Sequence, residues 1–310
     1  VHNYGVPFSK FNYIIAPLYS SGRKFVSGIS EMSYTLLPKN NLMYSRFGLS
    51  VKSFKHDTIY RNNESHYISI APYWTAKIGN RKNNNIPSSQ TIRVQTIYKK
   101  DKYGPQHIEH AGAYVEYNYN YKKPNHKLNV KLRNEFITNV NNTDQMARVL
   151  FSSTYDFRYM RNKMQRWIQL RGFIGQQYIR DYNSSTNGYQ YGMSLSGSDG
   201  RQDLFVDQYY FGRNDNSGMW SQQRNEDMGG FKSTSYYGTT GIAMATGNLY
   251  FQIPIKPNLF GVFADFGVFN NGISINSAIN TGLAIRMGDV LGVYFPLYMS
   301  KELEDSFGNS

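Results

Sequence analysis

The sequence contains no cysteine, which excludes disulfide bridges and thiolate metal sites. It has no apolar run of the roughly 18 residues that a transmembrane helix needs, and its first ten residues show no apolar signal-peptide segment. The nucleotide-binding patterns G-x-G-x-x-G and G-x-x-x-x-G-K-[ST], the hydrolase pattern G-x-S-x-G and the zinc pattern H-E-x-x-H are all missing. We therefore expect a chain that is not an enzyme and that holds no cofactor and no metal.

Aromatic residues, by contrast, are abundant. They make up 16% of the chain, with 27 tyrosines, although the mean hydropathy is only -0.56. Since a soluble core is built mainly from Leu and Ile, this combination favours a sheet whose two faces meet different solvents. The net charge of +13 comes from Lys and Arg spread over the whole chain. We interpret it as dispersed charge and expect no nucleic-acid partner.

Alternation of apolar and polar residues runs through most of the sequence. In the segment 66–79, Ile68, Ile70 and Trp74 share one face, while Ser69 and Thr75 share the other. A period of two indicates β-strands with one apolar and one polar face. Many of these segments have ten residues or more, whereas strands of soluble proteins average about 5–6 residues and a tilted membrane-spanning strand needs roughly 9–11.

The alternation predicts fifteen strands, at 10–20, 24–37, 41–56, 66–79, 89–100, 107–122, 126–140, 144–158, 163–180, 187–197, 201–211, 240–255, 259–269, 278–287 and 289–299. Short turns alternate with longer loops along the chain, as in outer-membrane barrels. A soluble sandwich, the alternative, would have shorter strands and an inner face richer in Leu and Val. Because lipid offers no hydrogen bonds to a sheet edge, the strands must close. The predicted fold class is all-β, a transmembrane up-and-down antiparallel β-barrel of about 14 to 16 strands.

The C-terminal third carries the most specific patterns. An N-L-x-F strand, 248–251, is followed by F-x-D-x-G at Phe263, Asp265 and Gly267, by G-L-x-x-R at 282–286, and by the pair Phe295-Pro296. This series resembles the BamA-type outer-membrane assembly and secretion barrel superfamily, also called the bacterial surface antigen family. The segment 211–232 is also similar to barrels fused to zinc aminopeptidase-like metallopeptidases in Bacteroidota. Residues 300–310 do not alternate, so the closing strand of the family is expected to be absent from that stretch.

The resemblance implies that the segment 212–239 folds into the barrel lumen as an insert. The family has a V-R-G-F tip whose Arg pairs with the Asp of the F-x-D-x-G strand. The matching tip here is Met228, Gly229, Gly230 and Phe231, in which Gly229 replaces the Arg. By alternation Asp265 faces the lumen, where a carboxylate requires donors or a cation unless water fills the space. The candidate cations are Arg286, Arg224, Lys232 and Arg213.

Two further sets of polar residues are candidate sites. In the segment 107–110, His107 and Glu109 share a strand face but His110 does not, so a solvated loop edge is favoured over a metal site. Acidic residues on the polar faces could form a catalytic pair, but a luminal charge ladder is favoured. The ladder comprises Arg133, Glu135, Arg148, Asp156, Arg158 and Arg171. Its positive sign would favour anions if the lumen conducts.

Three functional hypotheses follow. The first is a bacterial outer-membrane barrel, formed by a single domain over 1–310, that acts in protein insertion or translocation or anchors an envelope assembly. The second is a porin-like or uptake channel for anionic solutes, and the third is an outer-membrane hydrolase. The expected partners are outer-membrane lipid, lipopolysaccharide, and periplasmic or surface proteins. A peptidase domain, if one is fused, would lie outside these residues.

Overall fold

The structure is a computed structural model that describes most of the chain. The described residues are 1–3, 9–20, 25–38, 42–55, 65–79, 88–103, 106–142, 144–160, 166–183, 190–197, 203–207, 228–233, 237–287 and 291–307.

Thirteen strands are found in this part of the chain. They are β1 (Phe11–Ser20), β2 (Phe25–Leu36), β3 (Leu42–Lys55), β4 (Ser65–Ile78), β5 (Ser88–Tyr103), β6 (Gln106–Lys123), β7 (His126–Asn139), β8 (Gln145–Met160), β9 (Arg166–Asp181), β10 (Ala243–Gln252), β11 (Phe260–Asn270), β12 (Ile275–Met287) and β13 (Leu291–Met299). They form one sheet in which each strand is hydrogen-bonded to its neighbours in sequence. The all-β class and the up-and-down antiparallel order are therefore confirmed.

The sheet has an apolar face and a polar face, and both follow from the alternation of the sequence. In β11, Val262 and Phe266 are exposed, whereas Phe263 and Asp265 on the opposite side are buried. In β7, Leu132 is exposed while Glu135 is buried. We call the side of Val262, Phe266 and Leu132 the apolar face. The side of Asp265 and Glu135 is the polar face.

Thirteen strands lie in the described residues, beside the predicted total of about 14 to 16. The predicted strands 187–197 and 201–211 are the two that differ, because their described residues, 190–197 and 203–207, are not strands of the sheet. Both segments are buried almost throughout. Their apolar residues therefore pack as inserted chain rather than as part of the sheet, and nine strands precede residue 211 in the part of the chain that is described.

The chain divides into two compact units. Unit 1 comprises Val1–Asn118, Arg133–Ala147 and Phe205–Gln223, and unit 2 comprises Tyr119–Leu132, Arg148–Leu204 and Arg224–Ser310. Buried Tyr67, Tyr73, Tyr114 and Ile137 belong to unit 1. The main hydrophobic cluster of unit 2 joins strand residues to buried side chains of the connection between β9 and β10. The prediction of one domain with an insert at 212–239 stays a prediction.

A short helix, α1 (Lys301–Phe307), follows β13. It occupies the stretch in which alternation stops, and its Leu303 is buried in the main hydrophobic cluster of unit 2. Within the described ranges, no helix has the length and hydropathy required to cross a membrane.

Candidate functional site

Four polar residues form a row across adjacent strands on the polar face of unit 2. The register sets Arg171 of β9 opposite Asn248 of β10, Asn248 opposite Asp265 of β11, and Asp265 opposite Asn280 of β12. Residues directly opposite each other in antiparallel strands project from the same face. We call Arg171, Asn248, Asp265 and Asn280 the polar row.

Hydrogen bonds link the members of the polar row. Arg171 Nη1 donates to Asn248 Oδ1 at 3.1 Å, and Asn248 Nδ2 donates to Asp265 Oδ1 at 2.9 Å. Asn280 Nδ2 donates to Asp265 Oδ2 at 3.4 Å. The carboxylate of Asp265 is only 1% exposed, and a buried charge needs such donors to offset the loss of water. The row therefore holds Asp265 as an acceptor at a defined point of the polar face.

The tip of the connection between β9 and β10 binds to this row. Lys232 N donates to Asp265 Oδ2 at 2.9 Å, and the Arg171 guanidinium donates to the carbonyl of Met228. Next to the row, Thr246 Oγ1 donates to the carbonyl of Gly229 at 2.8 Å. Backbone groups on both sides of Gly230 are thus fixed by strand side chains, so residues 228–232 form an ordered insert rather than a loose surface loop.

The segment 193–197 covers the other side of the tip. Gly229 N donates to the Ser194 carbonyl at 3.2 Å, and Phe231 N donates to the Leu195 carbonyl at 2.8 Å. Met193 forms an isolated bridge with Thr240. The hydrogen bonds that the sheet would have supplied to a strand at 187–197 are replaced here by bonds to the insert. This pairing explains why an alternating segment lies outside the sheet.

Apolar side chains pack beneath the tip. Phe231, Met228 and Leu195 are buried in one cluster together with residues of β9, β10, β11, β12 and α1. A Cβ at Gly267 would lie 3.0 Å from the Phe231 ring and 2.7 Å from Leu195. The glycine of the F-x-D-x-G pattern therefore provides the space in which Phe231 sits.

Arg171 approaches the tip from β9, and the tip itself carries no arginine. A Cβ at Gly229 would lie 2.8 Å from both the Cα and the carbonyl oxygen of Leu195, so a side chain at this position meets backbone. Gly230 has a φ of 69°, and its position faces Arg171 Nη1. The guanidinium that the family pattern has on the tip comes here from the strand wall. It reaches Asp265 through Asn248.

The four predicted cation partners of Asp265 are placed as follows. Lys232 contacts Asp265 through its backbone N, while its ammonium donates to the Gly230 carbonyl at 2.6 Å. Arg286 lies six positions along β12 from Asn280, about 20 Å at the rise of a strand, and it donates to Gln169 Oε1 at 2.9 Å. Arg213 and Arg224 lie outside the described residues.

Unit 1 contains a second inserted segment, residues 205–207, which is anchored to Arg133. Arg133 Nη1 lies 2.9 Å from Asp207 Oδ2, and its guanidinium carbon lies 3.7 Å from the Tyr114 ring centroid. The ring of Phe205 packs edge-on against Tyr114 at 4.9 Å. Lys52 Nζ donates to the carbonyl of Val206, a β-branched residue with a φ of 53°, which costs conformational energy. The surrounding contacts hold this backbone in place.

The remaining members of the predicted charge ladder occupy separate contacts. In unit 1, Glu135 Oε1 lies 2.5 Å from Arg133 Nε. In unit 2, Arg148 donates to the carbonyl of Gly192 at 3.3 Å, Asp156 accepts from Gln169 at 2.9 Å, and Arg158 lies 4.7 Å from the Trp167 ring centroid. Each of these ladder residues therefore contacts its own neighbours, and several of those neighbours belong to the inserted segments.

The residues of the segment 107–110 point in two directions. Glu109 binds Lys100 and Tyr98 on the apolar face. His110 is buried on the opposite side, 3.8 Å from Asp101. In the described part of the chain, no group of three or more His, Cys, Asp or Glu could hold a metal ion.

Sequence reasoning missed Asn248, Asn280 and Thr246. Asn248 is the first residue of the N-L-x-F pattern and lies on the polar face with Thr246, so alternation gives its side but not its partners.

Outside the strands, the pKa of the Tyr237 phenol is raised above its usual value, first by partial burial and second by the Glu302 carboxylate. Tyr237 packs edge-on against Phe269 of β11 at 5.2 Å, so the end of the insert contacts the hydrophobic cluster that also contains Leu303 of α1.

Comparisons with known proteins find similarity in structure alone. No protein-family model matches the sequence, and no curated protein matches it. The chain is similar to a crystal structure of BamA from Haemophilus ducreyi lacking POTRA domains 1–3, with 12% identity and a TM-score of 0.46 over 89% of this chain and 59% of that one. It is also similar to CdiB from Acinetobacter baumannii, with 11% identity and a TM-score of 0.43 over 94% of this chain and 51% of that one.

The chain thus spans between half and three fifths of the length of these two structures. A BamA structure is among those that it resembles.

Proposed function

We propose that this chain is the barrel domain of a bacterial outer-membrane protein similar to the BamA-type barrels. In this proposal it acts without catalysis, in the insertion or translocation of polypeptide or as the membrane anchor of an envelope assembly. The apolar face supports a membrane location. Leu170, Ile174, Phe266 and Leu283 lie mid-strand on that face and are 44–58% exposed. Exposure of so much apolar area is unfavourable in water but not in lipid.

The observation that carries the proposal is the fixed tip on the polar row. Residues 228–232 make hydrogen bonds to three strand side chains and bury Phe231. A tip fixed inside a barrel would obstruct a permanent aqueous channel. It would also hold the strands that surround it in one arrangement. Both properties suit a barrel that handles polypeptide or anchors an assembly better than they suit an open pore.

Conductance through planar bilayers tests the obstruction. We expect the wild-type chain to give small or brief currents, and we expect Arg171→Ala to give larger and longer ones because the Met228 carbonyl and Asn248 lose their donor. The matched control is Arg180→Ala, an exposed arginine on the same strand, which should behave as wild type. Large steady wild-type currents would contradict the proposal.

A folding assay separates the two roles within the proposal. An unfolded outer-membrane barrel is added to vesicles with and without the reconstituted chain, and its folding is followed by protection from protease. Insertion activity predicts faster folding of the added barrel with the wild-type chain. A membrane anchor predicts equal rates in both vesicle preparations.

An anion channel remains the second candidate, because cations outnumber acids among the described polar-face residues that bind the inserted segments. Arg133 and Lys52 hold the segment 205–207, and Arg148 and Arg171 hold parts of unit 2. Any current through the Arg171→Ala variant should then prefer anions. If the wild-type chain itself carried a steady anion current, the channel would replace the first proposal.

A further inference from the structure

A cluster of basic residues lies on the apolar face of unit 1, near one end of β4, β5 and β6. The register sets His66 of β4 opposite Lys102 of β5, and Ile68 opposite Lys100. Lys55 of β3 occupies the register position opposite His66. His107 lies on β6 two positions before Glu109, which binds Lys100 across the strands. We call His66, Lys100, Lys102 and His107 the cationic row.

The cationic row borders directly on apolar surface. Ile68, Ile70 and Tyr98 follow it along the same face and are 44%, 43% and 42% exposed. The alternating positions of β10, β11, β12 and β13 on the apolar face hold no charged residue along their described lengths. A set of lysines at the edge of an apolar band is therefore a feature of β4–β6 that these four strands do not share.

The charges of the row are only partly neutralised within it. Glu109 is the acid of this part of the apolar face in the described strands, and it accepts from Lys100 Nζ at 2.9 Å and from the Tyr98 hydroxyl at 2.5 Å. The Lys100 side chain is nevertheless 50% exposed. An ammonium group has three donors, so Lys100 can bind a second acceptor while it keeps Glu109.

We propose that the cationic row binds the phosphate groups of lipid A in the outer leaflet of the outer membrane. This inference rests on the proposed function. The strand order puts the longest connection, residues 182–242 between β9 and β10, at the same end of the sheet as the connections between β3 and β4 and between β5 and β6. In outer-membrane barrels the longer loops are extracellular, which places the row in the leaflet that contains lipopolysaccharide.

The ligand is a lipid phosphate because two requirements coincide at this edge. The acyl chains of lipid A would cover Ile68, Ile70 and the Tyr98 ring, while its phosphates would lie at the level of Lys100 and Lys102. Lysine side chains extend from an apolar surface towards a polar headgroup layer, and each one near an anionic surface strengthens attachment. A free anion would satisfy the charges but leave the apolar surface uncovered.

Native mass spectrometry of the purified full chain in detergent tests the proposal with lipid A as the probe. We expect wild type to retain lipid A. The triple variant His66→Gln, Lys100→Gln, Lys102→Gln should bind it on the order of tenfold or more weakly, because two charges are lost. Dephosphorylated lipid A should bind wild type weakly, with an affinity no higher than that of intact lipid A for the triple variant.

The matched control is Lys122→Gln with Lys123→Gln, which removes the same charge at the opposite end of β6. It should bind lipid A within about twofold of wild type, since attraction to an anionic headgroup falls off within a Debye length. Equal loss in both variants would overturn the proposal. So would full displacement of lipid A by millimolar inorganic phosphate, which would identify the row as a site for free anions.

Wild-type protein alone provides a second test that does not depend on the variants folding. Lipid A binding should weaken as salt is raised, and the absence of any salt dependence would overturn the proposal. Cell fractionation separates the two levels of inference. If wild type and triple variant both reach the outer membrane and bind lipid A equally, this inference fails alone, whereas absence of wild type from that membrane contradicts the proposed function.

Discussion

At the scale of single residues, the departure of the tip from the family pattern has a steric reason. Gly229 stands where the pattern has arginine, and the backbone of Leu195 occupies the space that a side chain would need. Arg171 provides a guanidinium from β9 and reaches Asp265 through Asn248. The charge is kept in the neighbourhood of Asp265, although the residue that carries it differs.

Gly229→Ala should destabilise the insert, because its Cβ would lie 2.8 Å from the Leu195 backbone. Overpacking of this kind costs about 1–3 kcal/mol. We expect faster proteolysis between β9 and β10 and a lower midpoint in denaturant unfolding. Gly172→Ala is the matched control, since nothing lies within 4 Å of a Cβ built there. Equal protease resistance of Gly229→Ala and wild type would contradict the close packing.

Asp265→Asn should weaken the polar row, because the amide has one acceptor oxygen for the three donors that now share the carboxylate. The expected loss in the free energy of unfolding is about 1–3 kcal/mol. Denaturant titration of the detergent-solubilised protein measures it. Asp181→Asn, at the exposed end of β9, is the control. If both variants unfolded with the wild-type midpoint, Asp265 would not be the acceptor that organises the tip.

At the scale of elements, α1 links the end of the chain to the insert. Leu303 is 1% exposed and shares a hydrophobic cluster with Phe231 and Met228 of the tip. The carboxylate of Glu302, on the same helix, adds to the effect of burial in raising the pKa of Tyr237 near the end of the insert. The stretch in which strand alternation stops is therefore a short helix that packs on the insert.

Leu303→Ala should release part of this packing. Loss of a buried leucine side chain costs about 2–5 kcal/mol, and the loss should appear as a lower unfolding midpoint together with faster cleavage between β9 and β10. The control is Glu304→Ala, an exposed position on the same helix, which should stay within about 0.5 kcal/mol of wild type. A lower midpoint without faster cleavage would separate α1 from the insert.

At the scale of the whole molecule, charged substitutions on the apolar face can show whether that face meets lipid or water. In water, a charge at an exposed position changes stability by about 0.5 kcal/mol or less. In a bilayer, an arginine at the midplane of a barrel costs about 2–4 kcal/mol and one near the interface about 0–1. The position of a substitution along a strand therefore distinguishes the two environments.

Leu283→Arg, in the middle of β12, should destabilise the protein in lipid vesicles by the larger of these amounts. Ile275→Arg, at the end of the same strand and 79% exposed, should have little effect. Chemical unfolding from vesicles, followed by tryptophan fluorescence, measures both. Equal, small effects at the two positions would indicate an aqueous environment and would contradict the membrane proposal.

The sequence by itself determined the two-faced strands, their order and their approximate ends. Alternation is a local property, so Asp265 could be assigned to the polar face and Phe266 to the apolar face without coordinates. The recurrence of such strands, joined in sequence by turns, also predicted the up-and-down antiparallel sheet.

Only the tertiary structure decided which residues meet. Asn248 and Asn280 join Asp265 because of the register of three strands, and register depends on the whole sheet. The residues 190–197 alternate like a strand, yet they pair with the insert. A backbone with that pattern gains the same hydrogen bonds from a neighbouring strand or from an inserted segment, so the choice rests on long-range packing.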